Sequence, residues 1–357
     1  MDAAQLRAAF PVLERVAYLN AGTDGPVPLR SAEAAQRQIR HELENGRSGK
    51  AHFDVLIETA AKVREKVAAP FGAPPERIAL TRSTTDGVNL VLSALDLGPG
   101  DEVLTSDEEH PGLLAPLGAG KRRRGYDVRV VPFTELASEV GPKTKLVACS
   151  HVSWVNGQVV DTAALAAAPA QVLLDGAQGL GAVPVNADEL GCDWYAASGQ
   201  KWLCGPDGSG YLFSGSELVP PWPGYGSLED PYQPLDFRVH PDARRLDLGL
   251  VPASMGAWAL ASLELFEEMG WDAVHERAAG MAARLAEMLA ERGREVAPRG
   301  RSTLVSWQSD DQEAEVERLA AAGVVLRHLP GRGLVRASVG AWSSEEDLER
   351  LVSSSSP

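Results

Sequence analysis

Two reactive side chains come one and four residues after short apolar runs in the middle of the chain. Asp175 comes after Val172–Leu174 and opens the tetrapeptide DGAQ. Lys201 comes after Trp194–Ala197, within SGQKW. Ligands of open parallel sheets bind outside the carboxyl ends of the strands, where such residues meet. Taken singly, Asp175 also fits a helix cap and Lys201 a surface amine. Together they predict a site where a carboxylate and an amine act on one ligand.

This pair has the chemistry that pyridoxal phosphate (PLP) requires from a protein. An amine in a partly dry pocket forms a Schiff base, and a carboxylate facing the pyridine nitrogen keeps it protonated, so the ring withdraws electrons from Cα of an amino acid. We therefore predict that Lys201 holds PLP and that Asp175 faces the ring nitrogen. Six other lysines lie in helical or turn-like polar stretches and none follows a buried strand: Lys50, Lys62, Lys66, Lys121, Lys143 and Lys145.

The elements around this pair are typical of an α/β fold. Between about Pro74 and Ser214, short apolar runs without period-two alternation alternate with polar or helical segments, which favours a mostly parallel sheet covered on both faces. The predicted strands are Ile78–Thr81, Glu102–Thr105, Val128–Pro132, Leu146–Ser150, Val172–Leu174, Trp194–Ala197 and Gly210–Phe213. The predicted helices cover residues 31–45, 54–69, 86–95 and 254–292, the last interrupted near Gly270.

A smaller α+β unit is predicted toward the carboxyl end. Its weaker strand patterns cover residues 302–307, 324–328 and 333–339, and a helix follows at 345–352. We predict an N-terminal segment packing on the small domain, a large PLP-binding domain, a small C-terminal domain and a disordered tail, at residues 1–20, 21–250, 251–352 and 353–357.

Composition argues against several other classes of protein. The net charge of -15 repels nucleic acid, and the one dense basic run, 121–124, stands between two glycines as a solvated loop. No stretch approaches the roughly 20 apolar residues of a membrane span or resembles a secretory signal, which predicts a cytoplasmic protein. The three cysteines lack CxxC or CxxH spacing, so we expect neither a disulfide framework nor a bound metal: Cys149, Cys192 and Cys204.

Five segments carry a resemblance that spans nearly the whole chain. They are LTRSTTDGVNLVL, TSDEEHPG, LLDGAQGLG, ASGQKWLCGPDGSGYL and VRASVGAW, in this order. Through them the sequence resembles the class V aminotransferase family of fold-type I PLP enzymes. The resemblance implies an aspartate aminotransferase-like fold, a small-molecule amino-acid substrate and a homodimer whose active site lies at the subunit interface.

The resemblance also implies roles for six further residues. His110 would stack on the cofactor ring and Gln178 would hydrogen-bond its phenolic oxygen. By themselves, the threonines among the six also fit a helix N-cap and His110 an ordinary surface position. The phosphate would be bound by Thr84, Thr85, Ser198 and Gln200.

Two arginines nine residues apart limit the kinds of substrate, and so the kinds of reaction, that the site would accept. Arg327 and Arg336 stand on successive predicted strands joined by a turn at 329–333, and guanidinium groups bind carboxylates in bidentate fashion. They suit a substrate with two carboxylates, or with an α-carboxylate and a distal group. This spacing, with SDEEHPG, SHVSWVNGQV and YLNAGTDGPVP, looks most like the cysteine/cystine C–S lyase branch, close to isopenicillin N epimerase-like members. The prediction is β-elimination on cysteine, cystine or a cysteine S-conjugate or sulfoxide, including a histidine-derived one.

Three alternatives stay open on the same scaffold. An epimerase or aminotransferase would use Lys201 without expelling a leaving group, and a PLP-fold binding protein would not turn over. A cysteine desulfurase is disfavoured, since the resemblance places its catalytic cysteine on a loop that is missing before Arg336. The chain also departs from the family at two positions. Leu250 replaces a phosphate-binding threonine supplied by the partner subunit, unless Ser254 takes its place, and Trp154 replaces an asparagine of desulfurases.

Overall fold

The computed structural model describes residues 1–355, which form helices on both faces of a central sheet and a smaller unit built on short strands. The strands are β1 Ala17–Tyr18, β2 Ile78–Thr81, β3 Glu102–Ser106, β4 Asp127–Val131, β5 Thr144–Ser150, β6 Gln171–Asp175, β7 Trp194–Ser198, β8 Gly210–Ser214, β9 Leu304–Gln308, β10 Val324–Val325, β11 Arg327–Leu329 and β12 Leu334–Ser338. The helices are α1 Ala3–Ala8, α2 Leu29–Asn45, α3 Gly49–Phe71, α4 Thr84–Ala94, α5 Pro111–Arg124, α6 Thr162–Ala166, α7 Ala187–Leu190, α8 Ala253–Met269, α9 Trp271–Glu291, α10 Gln312–Ala321 and α11 Glu345–Ser354.

The central sheet has seven strands in the order β2-β8-β7-β6-β5-β3-β4. All neighbours are parallel except β8, which runs antiparallel to both β2 and β7. The chain switches direction across the sheet between β3 and β5, because β4 lies on one side of β3 and the later strands on the other. Since β2 is parallel to β7, the carboxyl ends of β2, β3, β5, β6 and β7 all open at the same edge.

Two apolar clusters cover the two faces of this sheet, which confirms the predicted α/β class with buried strands. On one face, α4 approaches very closely, since a methyl group on Gly87 would lie 2.9 Å from the Cβ of Ala196 in β7. This close packing holds the N-terminus of α4 at the edge where the strands end.

The smaller unit contains an antiparallel sheet, β11-β12-β9, and a parallel pair formed by β1 and β10. The N-terminal segment contacts it directly: Arg7 and Asp347 form an ion pair at 2.6 Å, and the rings of Phe10 and Trp342 are 5.1 Å apart. The domain boundaries themselves stay a prediction.

Two sequence-based expectations need correction. The basic run 121–124 is the last turn of α5 and no loop, and Arg124 donates hydrogen bonds to the carbonyls of Leu92, at 2.8 Å, and Leu97, at 3.1 Å. The sequence did not predict this helix because α5 contains glycines and Pro116, which are poor helix formers. Ser353 and Ser354 belong to α11 and not to a disordered tail, while residues 356 and 357 lie outside the described residues.

No helix within residues 1–355 has the length and apolar character to cross a membrane.

Candidate active site

One cleft at the carboxyl edge of the central sheet brings the predicted site residues together. All ten line it, although the first and the last, Thr84 and Arg336, are 252 positions apart in the sequence. They are Thr84, Thr85, His110, Asp175, Gln178, Ser198, Gln200, Lys201, Arg327 and Arg336. Leu250 and Ser254 do not line it; Leu250 faces a neighbouring hollow with Arg82 and Asp86, and Ser254 lies in the first turn of α8.

One end of the cleft is a cup of hydrogen-bond donors at the start of α4. The N-cap of this helix is Ser83, whose hydroxyl accepts from the N–H of Asp86 at 3.0 Å, so neither threonine is the cap. Within residues 1–355, the backbone N–H groups of Thr84 and Thr85 have no acceptor. The hydroxyls of Thr84 and Ser198 are 2.7 Å apart. A helix N-terminus with free N–H groups and two hydroxyls is a binding site for a phosphate.

Gln200 adds a buried polar atom beside this cup. Its Oε1 is out of contact with water and accepts no hydrogen bond from any described residue. Buried amide oxygens are normally paired, so this one indicates a ligand that brings a donor or a water.

Asp175 ends β6 and is buried, with 6% of its surface exposed. Its Oδ1 accepts the N–H of Ala177 at 2.9 Å, and the chain after it forms turns up to α7, so Asp175 does not cap a helix. Burial raises the pKa of its carboxyl, while the Ala177 N–H and the charge of Lys201 pull that pKa down. A buried carboxylate without a cation within 4 Å among the described residues suits a protonated ring nitrogen.

Lys201 stands on the loop that follows β7. The loop is tied by a hydrogen bond from the N–H of Gly205 to the carbonyl of Gly199, at 2.8 Å. The Nζ of Lys201 makes no hydrogen bond or ion pair with any residue in 1–355. Burial lowers its pKa to about 8; Arg336 and Arg327 act in the same direction, whereas Asp175 and Asp24 oppose it. An amine with a depressed pKa has a larger neutral, nucleophilic fraction at physiological pH.

His110 is the N-cap of α5 and presents its ring to the cleft. Its Nδ1 accepts the N–H of Gly112 at 3.0 Å, which places the proton of the neutral ring on Nε2. Trp154 packs edge-on against it, with ring centroids 5.2 Å apart and planes at 88°. Partial burial, with the charges of Lys201 and two arginines, lowers the pKa of His110 to about 4. The ring is therefore neutral at physiological pH.

Arg327 and Arg336 are directly opposite each other on β11 and β12. Only 1% of the surface of Arg336 is exposed; its Nη1 donates to the carbonyl of Trp154 at 2.7 Å and its Nε has no acceptor. Arg327 contacts the hydroxyl of Thr23 at 3.4 Å. Neither guanidinium has a carboxylate partner within 4 Å in the described part of the chain. Two facing cations without counterions favour an anionic ligand between them.

The sequence reasoning missed the contribution of the N-terminal segment to this site. Gly22, Thr23 and Asp24 line the cleft. A methyl group on Gly22 would lie 2.9 Å from Oε1 of Gln178 and 3.0 Å from Nη2 of Arg336, so a larger residue there would have to displace these cleft side chains. The glycine-containing turn in YLNAGTDGPVP was the available signal for this close approach.

Gln178 lines the cleft, whereas His151 does not. The Nε2 of Gln178 donates to the carbonyl of Gly22 at 2.7 Å, and its Oε1 accepts the Trp202 indole N–H at 3.1 Å. One amide hydrogen of Gln178 is left for a ligand. His151 does not line the cleft; it is buried, and its Nδ1 is 2.9 Å from the hydroxyl of Tyr195.

The donor set fits PLP. The free N–H groups and hydroxyls at α4 match a phosphate, the buried Asp175 matches a protonated pyridine nitrogen, and the unpaired amine of Lys201 lies in the same cleft. Fold and cleft together define a fold-type I PLP protein.

The chain belongs to the class V aminotransferase family, because the model of that family, "Aminotransferase class-V", matches residues 17–351. The members of this family use PLP, and PLP is the cofactor of this chain.

Two similar solved structures are of the protein C-DES. A lysine-to-alanine variant with glycine covalently linked to the PLP cofactor has a TM-score of 0.91 and 28% identity, covering 97% of this chain and 98% of that one. The cystine C–S lyase C-DES in complex with its reaction product cysteine persulfide has a TM-score of 0.90 and 28% identity, covering 96% and 98%.

Curated relatives include cysteine desulfurases. That of Klebsiella pneumoniae (strain 342) is 35% identical over 250 residues, which are 63% of this chain and 61% of the relative. That of Dickeya dadantii (strain 3937) is 33% identical over 250 residues, 63% and 60% of the two chains. The match therefore spans about three fifths of the length of these relatives.

Proposed function

We propose that this chain is a PLP-dependent C–S lyase that performs β-elimination on cysteine, cystine or a cysteine S-conjugate or sulfoxide. The products would be pyruvate, ammonia and a sulfur compound. The observation that carries the proposal is a pair of facing arginines without counterions and an unpaired lysine in one cleft, which no cysteine among residues 1–355 lines.

Lys201 and Asp175 supply the reactive groups. When PLP is bound, it withdraws electrons from Cα and so makes the α-proton acidic and the β-substituent a leaving group. Lys201 would remove the proton from Cα, and its depressed pKa leaves it able to accept that proton. Asp175 keeps its negative charge toward the ring nitrogen.

The arginines orient the substrate. Arg336, buried and with a free Nε, binds the α-carboxylate and holds the Cα–H bond toward Lys201. Arg327 stands opposite and contacts Thr23 near the cleft mouth, where the far end of the substrate lies. A second carboxylate on the sulfur substituent, as in cystine, would bind there.

A desulfurase mechanism needs a thiolate at the substrate sulfur, and this chain offers none in the cleft. The segment between β11 and β12 is a four-residue turn without cysteine, 330–333. Burial raises the thiol pKa of all three cysteines. Cys149 lies in β5, Cys192 just before β7 and Cys204 on the Lys201 loop, and all three are buried. The sulfur product would therefore leave without a protein persulfide.

The test is an amino-acid panel assayed for keto acid, ammonia and sulfur product together. We expect pyruvate and ammonia in equal amounts from cystine or a cysteine sulfoxide without any keto-acid acceptor. Keto acid that forms only with an acceptor would identify an aminotransferase, and α-proton exchange without product an epimerase. A yellow protein that exchanges no α-proton would be a binding protein. Lys201→Ala should release no pyruvate, and Lys62→Ala, on the exposed face of α3, is its matched control.

We also propose a homodimer. One stretch, 219–237, exposes an unusual number of large apolar side chains to solvent in the single chain, as expected for a surface that a second copy covers. They are Val219, Trp222, Tyr225, Tyr232, Leu235 and Phe237. Sedimentation equilibrium would test this; a Leu235→Lys, Tyr232→Lys variant should dissociate, and a wild-type monomer at micromolar concentration would contradict it.

A further inference from the structure

Asp24 is a second carboxylate in the cleft, and the reaction proposed above gives it no role. Its backbone is fixed, because its N–H donates to the carbonyl of Asn20 at 3.2 Å and its carbonyl accepts the hydroxyl of Tyr18 at 2.9 Å. Its carboxylate, in contrast, accepts no hydrogen bond and has no cation within 4 Å among residues 1–355. The side chain is exposed at the cleft mouth.

The neighbours of Asp24 place it beside the far end of the substrate. Thr23 contacts Arg327 at 3.4 Å, and the N–H of Gly25 donates to the carbonyl of Gln200 at 2.7 Å. Asp24 therefore stands between the Arg327 side of the cleft and the Lys201 loop. Asp207, on the same loop, is close enough for its charge to act on Asp24.

The cleft therefore carries positive and negative charges in different parts. Three cations line it: Arg336, which is buried, and Lys201 and Arg327, which are partly exposed. The exposed side carries Asp24, and the charge of the exposed Asp207 acts on it. A distal group that carried only negative charge would be drawn to Arg327 and repelled by Asp24. A distal group with both charges would satisfy both sides.

We propose that Asp24, supported by Asp207, binds a positively charged group, such as an ammonium, at the distal end of the substrate's sulfur substituent. With Arg327 on the distal carboxylate, the cleft selects cysteine derivatives whose sulfur substituent ends in a zwitterion. The inference rests on the proposed C–S lyase function, which provides the sulfur substituent. Asp24 is a specificity-determining residue and takes no part in breaking the bond.

The test uses two ligands that contain no sulfur, so that binding is measured apart from C–S cleavage. Diaminosuberate is cystine with methylene groups in place of both sulfur atoms, and aminosuberate lacks its distal ammonium. Calorimetric titration of the PLP-loaded protein should give a dissociation constant about fivefold lower for diaminosuberate, the modest factor expected for a solvent-exposed ion pair. Asp24→Asn should remove most of this preference, and Asp207→Asn part of it.

Further measurements separate this role from a general effect of charge. Asp310→Asn, an exposed aspartate outside the cleft, should keep the full preference. Added salt should reduce the preference of the wild type. The inference is overturned if the wild type binds both ligands equally, or if Asp24→Asn weakens both to the same extent, which would make Asp24 merely a counterion of Lys201. A preserved preference without pyruvate release from cystine would refute the lyase function and leave the binding site standing.

Discussion

Replacing Arg336 by methionine should make the ligand-free protein more stable while impairing its activity. The guanidinium is buried, has no carboxylate partner in residues 1–355 and faces Arg327. Burial, with the nearby charge of Arg327, lowers its pKa to about 9, well below the ordinary value of an arginine. Arginine stays protonated at physiological pH, so this is a cost of folding rather than a loss of charge. Methionine fills a similar volume without that cost.

The expected size follows from the same contacts. A pKa difference of this size corresponds to about 5 kcal/mol, at roughly 1.4 kcal/mol per pKa unit. Against it stands the Trp154 carbonyl, which loses the hydrogen bond from Nη1 and costs about 1–3 kcal/mol when left unpaired. We expect a net gain of about 2–4 kcal/mol in the free energy of unfolding. Loss of the α-carboxylate contact should lower kcat/KM by about two orders of magnitude.

Thermal unfolding of the apoprotein and pyruvate release from cystine would measure the two effects. Arg336→Lys is the control, because it keeps a buried cation and should not be stabilised. A methionine variant that unfolds at a lower temperature than the wild type, or that keeps kcat/KM within fivefold, would refute the account of Arg336 as an unpaired cation awaiting a carboxylate.

Three further predictions test the cofactor lysine, the absence of a catalytic thiol and a buried histidine. Lys201→Ala should lose both the cofactor absorbance and turnover, while Lys62→Ala keeps both; a borohydride-trapped adduct on another lysine would contradict this. Alanine at all three cysteine positions, Cys149, Cys192 and Cys204, should leave pyruvate release from cystine within about twofold of the wild type. A desulfurase would become inactive. His151, whose pKa burial lowers to about 4, takes up a proton more readily when unfolded. The free energy of unfolding should therefore fall by up to about 3 kcal/mol as pH drops from 6.5 to 4, and His151→Gln, compared by urea titration, should lack that component.

Much of the fold was readable from the chain, because buried parallel strands are continuous apolar runs. All seven strands of the central sheet are confirmed, most within one or two residues of their predicted ends. The helix α5 was missed, since its glycines and prolines hide a helical period that tertiary packing enforces. Its basic last turn, taken for a loop, is held by carbonyls from the end of α4 and the chain after it.

The residue types and their order determined which side chains to look for: an acid and an amine after two strands, threonines before a helix, and two arginines on successive strands. Only the tertiary structure decided what surrounds them. The pKa of Lys201, the missing counterions of Arg336 and the place of Asp24 at the mouth depend on groups far apart in sequence. Burial and the interaction between charges depend on distances in space. These distances are set only when the N-terminal turn packs against the strands of the small unit, so they cannot be read from the sequence.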